Sequence, residues 1–234
     1  MGVALDDLQA IRVLCQAGSF HAAAVPTLAR SALLAASEAM WMLAPDEARL
    51  RQRRGVEAAL EGDRQHLLYL GAQKNAPGAL MKEIVLVRAQ LLLRQRGATF
   101  AAAALGAPGP TDNTGIIRWS ATHMQQHNLA WRDQAVALWR AASGSAHGHQ
   151  FGVMAHSEPR PAVREPSGIL AEHRAGGGPL ITWQCTYVPF ETLRAALRRW
   201  DELTAAQVSA GVAVQANTPR RADVVPRSTP PIWS

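Results

Sequence analysis

Between Ala22 and Leu43 the chain carries only two charged side chains, Arg30 and Glu38, and is otherwise apolar on nearly every side. A stretch this long exceeds any ordinary strand, and as a helix without a polar face it has to sit among other helices. Pro26 near its start and Pro45 just past its end frame it. Alanine, at 44 of 234 residues, outweighs the aromatics at 6%, and alanine both favours helix and lets helices approach closely. Together these features predict an all-α chain, a single bundle of about seven helices, and exclude all-β, collagen-like and wholly disordered classes.

The remaining helices follow from apolar periodicity. Leu5 to Gln16 reads as a first helix with Asp6 and Asp7 in its opening turn. Gly18 and Ser19 close it. A third helix spans Asp46 to Gln73 on a stripe of Val56, Ala59, Leu60, Leu67 and Leu70. A fourth, on Leu80, Ile84, Val87 and Leu91, is expected to end near Arg96 and Gly97. Residues 106–115, GAPGPTDNTG, form the clearest internal loop and a candidate subdivision. Helices over Ile116–Leu129 and Ala130–Ala142 come next, then a proline-rich loop over 156–178, then a helix over Pro189–Val208. The domain is expected to cover 1–210, and the basic, proline-rich segment 211–234 to be a disordered tail.

Charge constrains function weakly. The formal net charge is +6, and 22 of the 24 basic residues are arginine, which permits an anionic partner through bidentate contacts. Arg49, Arg51, Arg53 and Arg54 form a basic run, interleaved with Glu47 and Glu57, that reads as a solvated helix face. Cys15 and Cys185 stand far apart without metal or redox spacing, as expected of reduced thiols in a cytoplasmic protein. The opening MGVALDDLQA lacks the basic region of a secretory signal, and no membrane association is expected.

Chemistry concentrates in residues 139–149, WRAASGSAHGH. Asp133, Arg140 and His147 recur every seven positions, which on a continuous helix puts them on one face. A histidine exchanges protons near neutrality, an arginine holds phosphate, and an aspartate orients either. Gly144 threatens to end that helix before His147. A second expectation concerns charge inside the bundle: Thr27, Arg30 and Ser37 share one face, with Glu38 at its edge and Asp63 on the apolar stripe of the third helix. An unpaired buried charge costs several kcal/mol, so Glu38 and Asp63 are the expected partners of Arg30. For metal the candidates are His123 and His127 at i, i+4, and His149 in an HxH pair with His147; no acidic residue completes a zincin pattern, and no metal or other cofactor is expected. Trp41, Trp139 and Trp200 fall on apolar helix faces and read as core, while Trp119 and Trp131 flank the histidine pair.

The spacing of Arg140 and His147 resembles the Rx4–6H motif of the HEPN superfamily. That resemblance implies an all-helical, metal-independent endoribonuclease or RNA binder working as a homodimer, with His147 as acid or base and Arg140 as phosphate holder. Ala141 stands where active members commonly carry a polar residue. Residues 28–55 and 138–154 are similar to an actinobacterial family of uncharacterised helical proteins, through Arg30, Trp41, Pro45, Trp139, Arg140, Ser143, Gly144, His147 and Gly148. In that family the helix of Arg30 carries a glutamate where this chain has Leu34. Residues 5–24 resemble the opening of LysR-type helix-turn-helix regulators, without the recognition helix that should follow. Two functions are thus expected: an RNA-directed module, or a non-enzymatic module that dimerises or binds a protein through its helices.

Overall fold

The computed structural model describes residues 1–73, 78–105, 112–124, 129–149 and 178–217. Among them are seven α-helices and no strand. They are α1 (Gly2–Gln16), α2 (Ala24–Leu43), α3 (Ala48–Ala72), α4 (Gly78–Leu105), α5 (Asn113–Met124), α6 (Leu129–Ala146) and α7 (Pro179–Asn217). By internal contacts the chain forms two units, Met1–Arg199 and Trp200–Ser234. The second unit holds the last stretch of α7, where Thr204 and Ser209 hydroxyls donate to carbonyls one turn back, at Trp200 and Ala205.

The apolar stretch becomes α2, the central helix of the first unit. Its Val25, Ala29 and Leu33 pack with Ile11 of α1, Ile117 of α5, Ala135 and Leu138 of α6, and Val188 of α7. Ala32 and Ala36 meet Ala4 and Leu193, and Ala39 and Met40 meet Ala196. Small residues at these crossings let backbones approach toward the near end of the usual spacing of about 8 to 10 Å. Cys185 is buried in this core, and desolvation pushes its thiol up to about 12, so it stays protonated and unreactive.

The C-terminal ends of α1 and α6 share an identifiable cause. After α1, Gly18 takes φ +66, its N–H donates to Cys15, and Ser19 N–H donates to Leu14, which closes the helix as a Schellman motif. After α6 the same motif forms at Gly148, φ +68, with Gly148 N–H on Ser145 and His149 N–H on Gly144. Gly144 therefore lies inside α6 and does not end it. A left-handed residue is what the motif requires, and only Gly148 meets that need.

Helices α3 and α4 form a hairpin with a seam of Leu70, Ile84 and Leu91. Gly97 does not end α4, which continues to Leu105; an isolated helical glycine costs only about 1 kcal/mol. The final helix also exceeds expectation. Pro189 was expected at its start but lies within it, because Cys185, Val188, Pro189 and Leu193 are all buried on the core side, and their burial offsets the missing hydrogen bond. The helix runs on through 211–217, so the beginning of the expected disordered tail is helical; 218–234 lie outside the described residues, as do 106–111 of the internal loop and all but the last residue of the loop expected over 156–178. No helix among the described residues is long and apolar enough to cross a membrane.

Candidate functional site

Asp133 and Arg140, two turns apart within α6, both project from it one above the other. They line a groove of about 430 Å³ together with Arg132, Val136, Ala137 and, from α5, Arg118. Asp133 accepts a hydrogen bond from Arg132 Nε at 2.9 Å. The groove thus presents three guanidinium groups against one carboxylate, an arrangement suited to an anion. His147 is exposed and follows the last residue of α6, with its ring centroid 6.2 Å from that of His149. It is not among the residues lining the groove. The structure therefore unites Asp133 and Arg140 and leaves His147 on open surface beyond them, so the groove can hold an anion but has no histidine among its described lining residues.

The expected network around Arg30 is replaced by a different one. Arg30 Nε donates to Ser143 Oγ at 2.8 Å, and its guanidinium lies 4.4 Å from the centre of the Trp139 ring. A hydroxyl and a π face satisfy this half-buried cation in place of a carboxylate. Asp63 pairs instead with Arg94 of α4 through both carboxylate oxygens, because its face of α3 turns to the hairpin partner. Arg94 holds the Asp63 carboxyl below its ordinary range. Glu38 lines a cavity of about 490 Å³ with Trp41, Glu57 and Glu61. Burial raises its pKa, opposed by the ammonium of Met1. The other two carboxylates there are engaged, Glu57 with Arg53 at 3.3 Å and Glu61 with Arg64 at 2.6 Å.

A cluster that sequence reasoning missed lies at the C-terminal end of α2. The basic run of α3 is not simply solvated. Arg54 Nη1 donates to the Trp41 carbonyl at 2.6 Å, and Arg51 Nη1 donates to the carbonyls of Pro45 and Asp46, each at 2.7 Å. From α7, Arg199 Nε reaches the Leu43 carbonyl at 3.2 Å and its Nη2 the Asp46 carboxylate at 2.7 Å. The last carbonyls of a helix lack intrahelical donors and carry the negative end of its dipole; guanidinium groups supply both needs. Arg49 does the same for the Ala104 carbonyl near the end of α4, at 3.2 Å. The only signal in the sequence was arginine density just after a proline-terminated helix.

Arg54 also joins an aromatic column. Its guanidinium lies 5.0 Å from the Trp41 ring centre and 4.2 Å from that of Trp119, and Trp119 stacks on His123 with centroids 4.9 Å apart. Burial draws the Arg54 pKa down, countered by Glu57. His123 is likewise held below its usual range, first by burial and then by Arg54 and Arg199, which favours the neutral imidazole. The flanking role expected of Trp119 thus has a physical form, whereas Trp131 is buried in the core beside Cys185 and Val188. Trp41 and Trp139 are core residues as expected, but Trp200 is half exposed.

His127 lies outside the described residues, and His149 is exposed. No group of three His, Cys, Asp or Glu side chains among the described residues can hold a metal ion. Comparison with protein-family models, with curated proteins and with solved structures finds no match to this chain. Fold and site together define an all-helical module with an arginine-lined groove and large uncovered apolar faces.

Proposed function

We propose that the chain is a non-enzymatic helical module that pairs with a second copy of itself through α4. The observation supporting this reading is the uncovered side of that helix. Leu86, Leu93 and Phe100 recur every seven residues and are 65%, 68% and 79% exposed, while Ile84, Val87 and Leu91 turn onto α3. Large apolar side chains repeated along one helix face are normally enclosed, and among the described residues nothing covers these three. The repeat is self-complementary. Antiparallel pairing about a two-fold axis at Leu93 sets Leu86 of each copy against Phe100 of the other. Ala89 and Gly97, between the large residues, leave room for interdigitation. In that register Arg88 opposes Ala98 and Arg96 opposes Gln90, so like charges do not meet.

Sedimentation equilibrium at micromolar concentration is expected to give a dimer. Leu93→Glu places two carboxylates face to face at the axis and is expected to weaken pairing about 100-fold or more, with helical circular dichroism unchanged because Leu93 is exposed in the single chain. A monomeric wild type, or a Leu93→Glu variant that pairs as tightly, overturns the reading.

A second reading, the RNA-directed module that the HEPN resemblance implies, is favoured by the groove of Arg118, Arg132 and Arg140. Here Arg140 would bind phosphate and the exposed His147 would act as acid or base on a strand passing both. Its test is cleavage of single-stranded RNA in a metal chelator by the wild type and by His147→Ala. Cleavage lost only in the variant supports the enzyme; cleavage absent from both, or equal in both, removes it.

A further inference from the structure

A second apolar surface, between α1 and α7, has a different character. Helices α1 and α7 run antiparallel, since Ala4 and Leu8 of α1 meet Leu193 and Leu197 of α7, whereas Ile11 and Cys15 share the cluster of Cys185 and Ile181. Between them lies a groove of about 810 Å³, within the size range of small-molecule sites. Its walls are Leu5, Leu8, Trp183, Tyr187 and Phe190. Leu5, Trp183 and Phe190 are each about half exposed, and Trp183 stacks on Tyr187 with centroids 5.1 Å apart, a flat aromatic wall open to solvent.

Two arginines border this groove and differ in their commitments. Arg194 is engaged by Glu191 at 2.6 Å. Arg12 donates its Nε to the neutral Gln9 amide oxygen at 3.0 Å, and no carboxylate among the described residues lies within ion-pairing distance of it. A guanidinium keeps its charge and presents donors in a fork that matches a carboxylate. The antiparallel register places Arg12 near Trp183, at one end, with Leu5 and Leu197 toward the other. From Arg12 to Leu5 is seven residues of helix, about 10 Å. An apolar trough of that length bordered at its end by a cation that no carboxylate among the described residues engages complements a molecule with an acyl chain and a single anionic head.

We propose that the α1–α7 groove is a binding site for a free medium-chain fatty carboxylate, its head held by Arg12 and its chain laid along Trp183, Phe190 and Leu5. Attraction of the chain is non-directional and follows the apolar area covered, so chain length sets affinity. The head is read by charge, so the matching alcohol binds more weakly. This site shares no residue with the α4 surface or with the arginine groove of α5 and α6.

The experiment uses the full chain and dodecanoate below its micellar concentration, followed by tryptophan emission and by displacement of anilinonaphthalene sulfonate. Saturable one-to-one binding is expected, with the emission change lost in Trp183→Phe. Arg12→Gln is expected to weaken dodecanoate at least tenfold while leaving dodecanol within twofold. Phe190→Glu, at an exposed position that folding does not need, is expected to weaken both ligands. Absence of saturable binding to the wild type overturns the proposal, and so does equal affinity for dodecanoate and dodecanol. If Phe190→Glu instead shifts the sedimentation of the ligand-free chain, a second copy occupies the groove and the proposal is again overturned. Because Leu93→Glu leaves this groove intact, failure here and failure of α4 pairing are separately visible.

Discussion

Substituting Leu33 by alanine is expected to lower the free energy of unfolding by about 3 to 4 kcal/mol, the usual cost of removing a fully buried leucine and leaving a partly collapsed cavity. Leu33 is 1% exposed and lies on α2 in the cluster that also holds Ile11, Ile117, Leu138 and Val188. Four other helices therefore line the space its side chain vacates. None can close it without disturbing its remaining contacts, because the interior is packed near crystal density. Urea unfolding followed by circular dichroism measures the change. The control is Leu68→Ala, the same chemistry at an exposed site of α3, expected to shift chain stability by no more than about 0.5 kcal/mol. Equal losses at the two positions would mean that α2 is not the central helix.

Arg54→Ala is expected to cost about 2 to 3 kcal/mol, combining a partly desolvated cation–π contact with a charged hydrogen bond to a helix-terminal carbonyl. The substitution leaves the Trp41 carbonyl without its 2.6 Å donor and opens a gap between Trp41 and Trp119. Arg54→Lys keeps the charge but loses the flat face and the fork, and is expected to recover less than half of the loss. A double-mutant cycle with Trp119→Leu isolates the ring contact. A coupling indistinguishable from zero would show that the Trp119 ring contributes nothing and that Arg54 acts through Trp41, its carbonyl and its ring.

What the sequence disclosed about this fold followed from periodicity, and what it concealed followed from partnership. The central position of α2 was legible because an all-apolar helix has only one kind of place to go. The close of α1 at Gly18 was legible because a glycine followed by a serine marks a helix end. The end of α6 was assigned wrongly in prospect because Gly144 and Gly148 are chemically identical, and only backbone conformation tells which one turns left-handed. Pro189 misled for a related reason. Proline is a start signal when local energetics decide, whereas here a buried stripe on both sides of it decides. The partners of Arg30 and Asp63 were not legible at all. Helix period places a side chain on a face, but which helix meets that face depends on packing across the chain, 113 positions away for Arg30 and Ser143. For the candidate site, the shared face of Asp133 and Arg140 was readable from their seven-residue spacing, whereas Arg118 enters from another helix and carried no such signal.

The arginine clamp at the end of α2 bears on how this molecule meets a changing ionic environment. Guanidinium groups seated on backbone carbonyls interact with fixed dipoles at contact distance, where mobile ions have little room to intervene. Raising the salt concentration therefore leaves the α2–α3 corner largely intact, while it weakens exposed pairs such as Arg64–Glu61. Arg49, Arg54 and Arg199 are seated on carbonyls at the ends of helices and Arg51 on carbonyls of the α2–α3 turn, so these charges are held by the fold and are less available to a solute than those of the groove arginines. A protein organised in this way can tolerate a wide range of ionic strength in its fold, while contacts that depend on Arg118, Arg132 and Arg140 remain adjustable by salt.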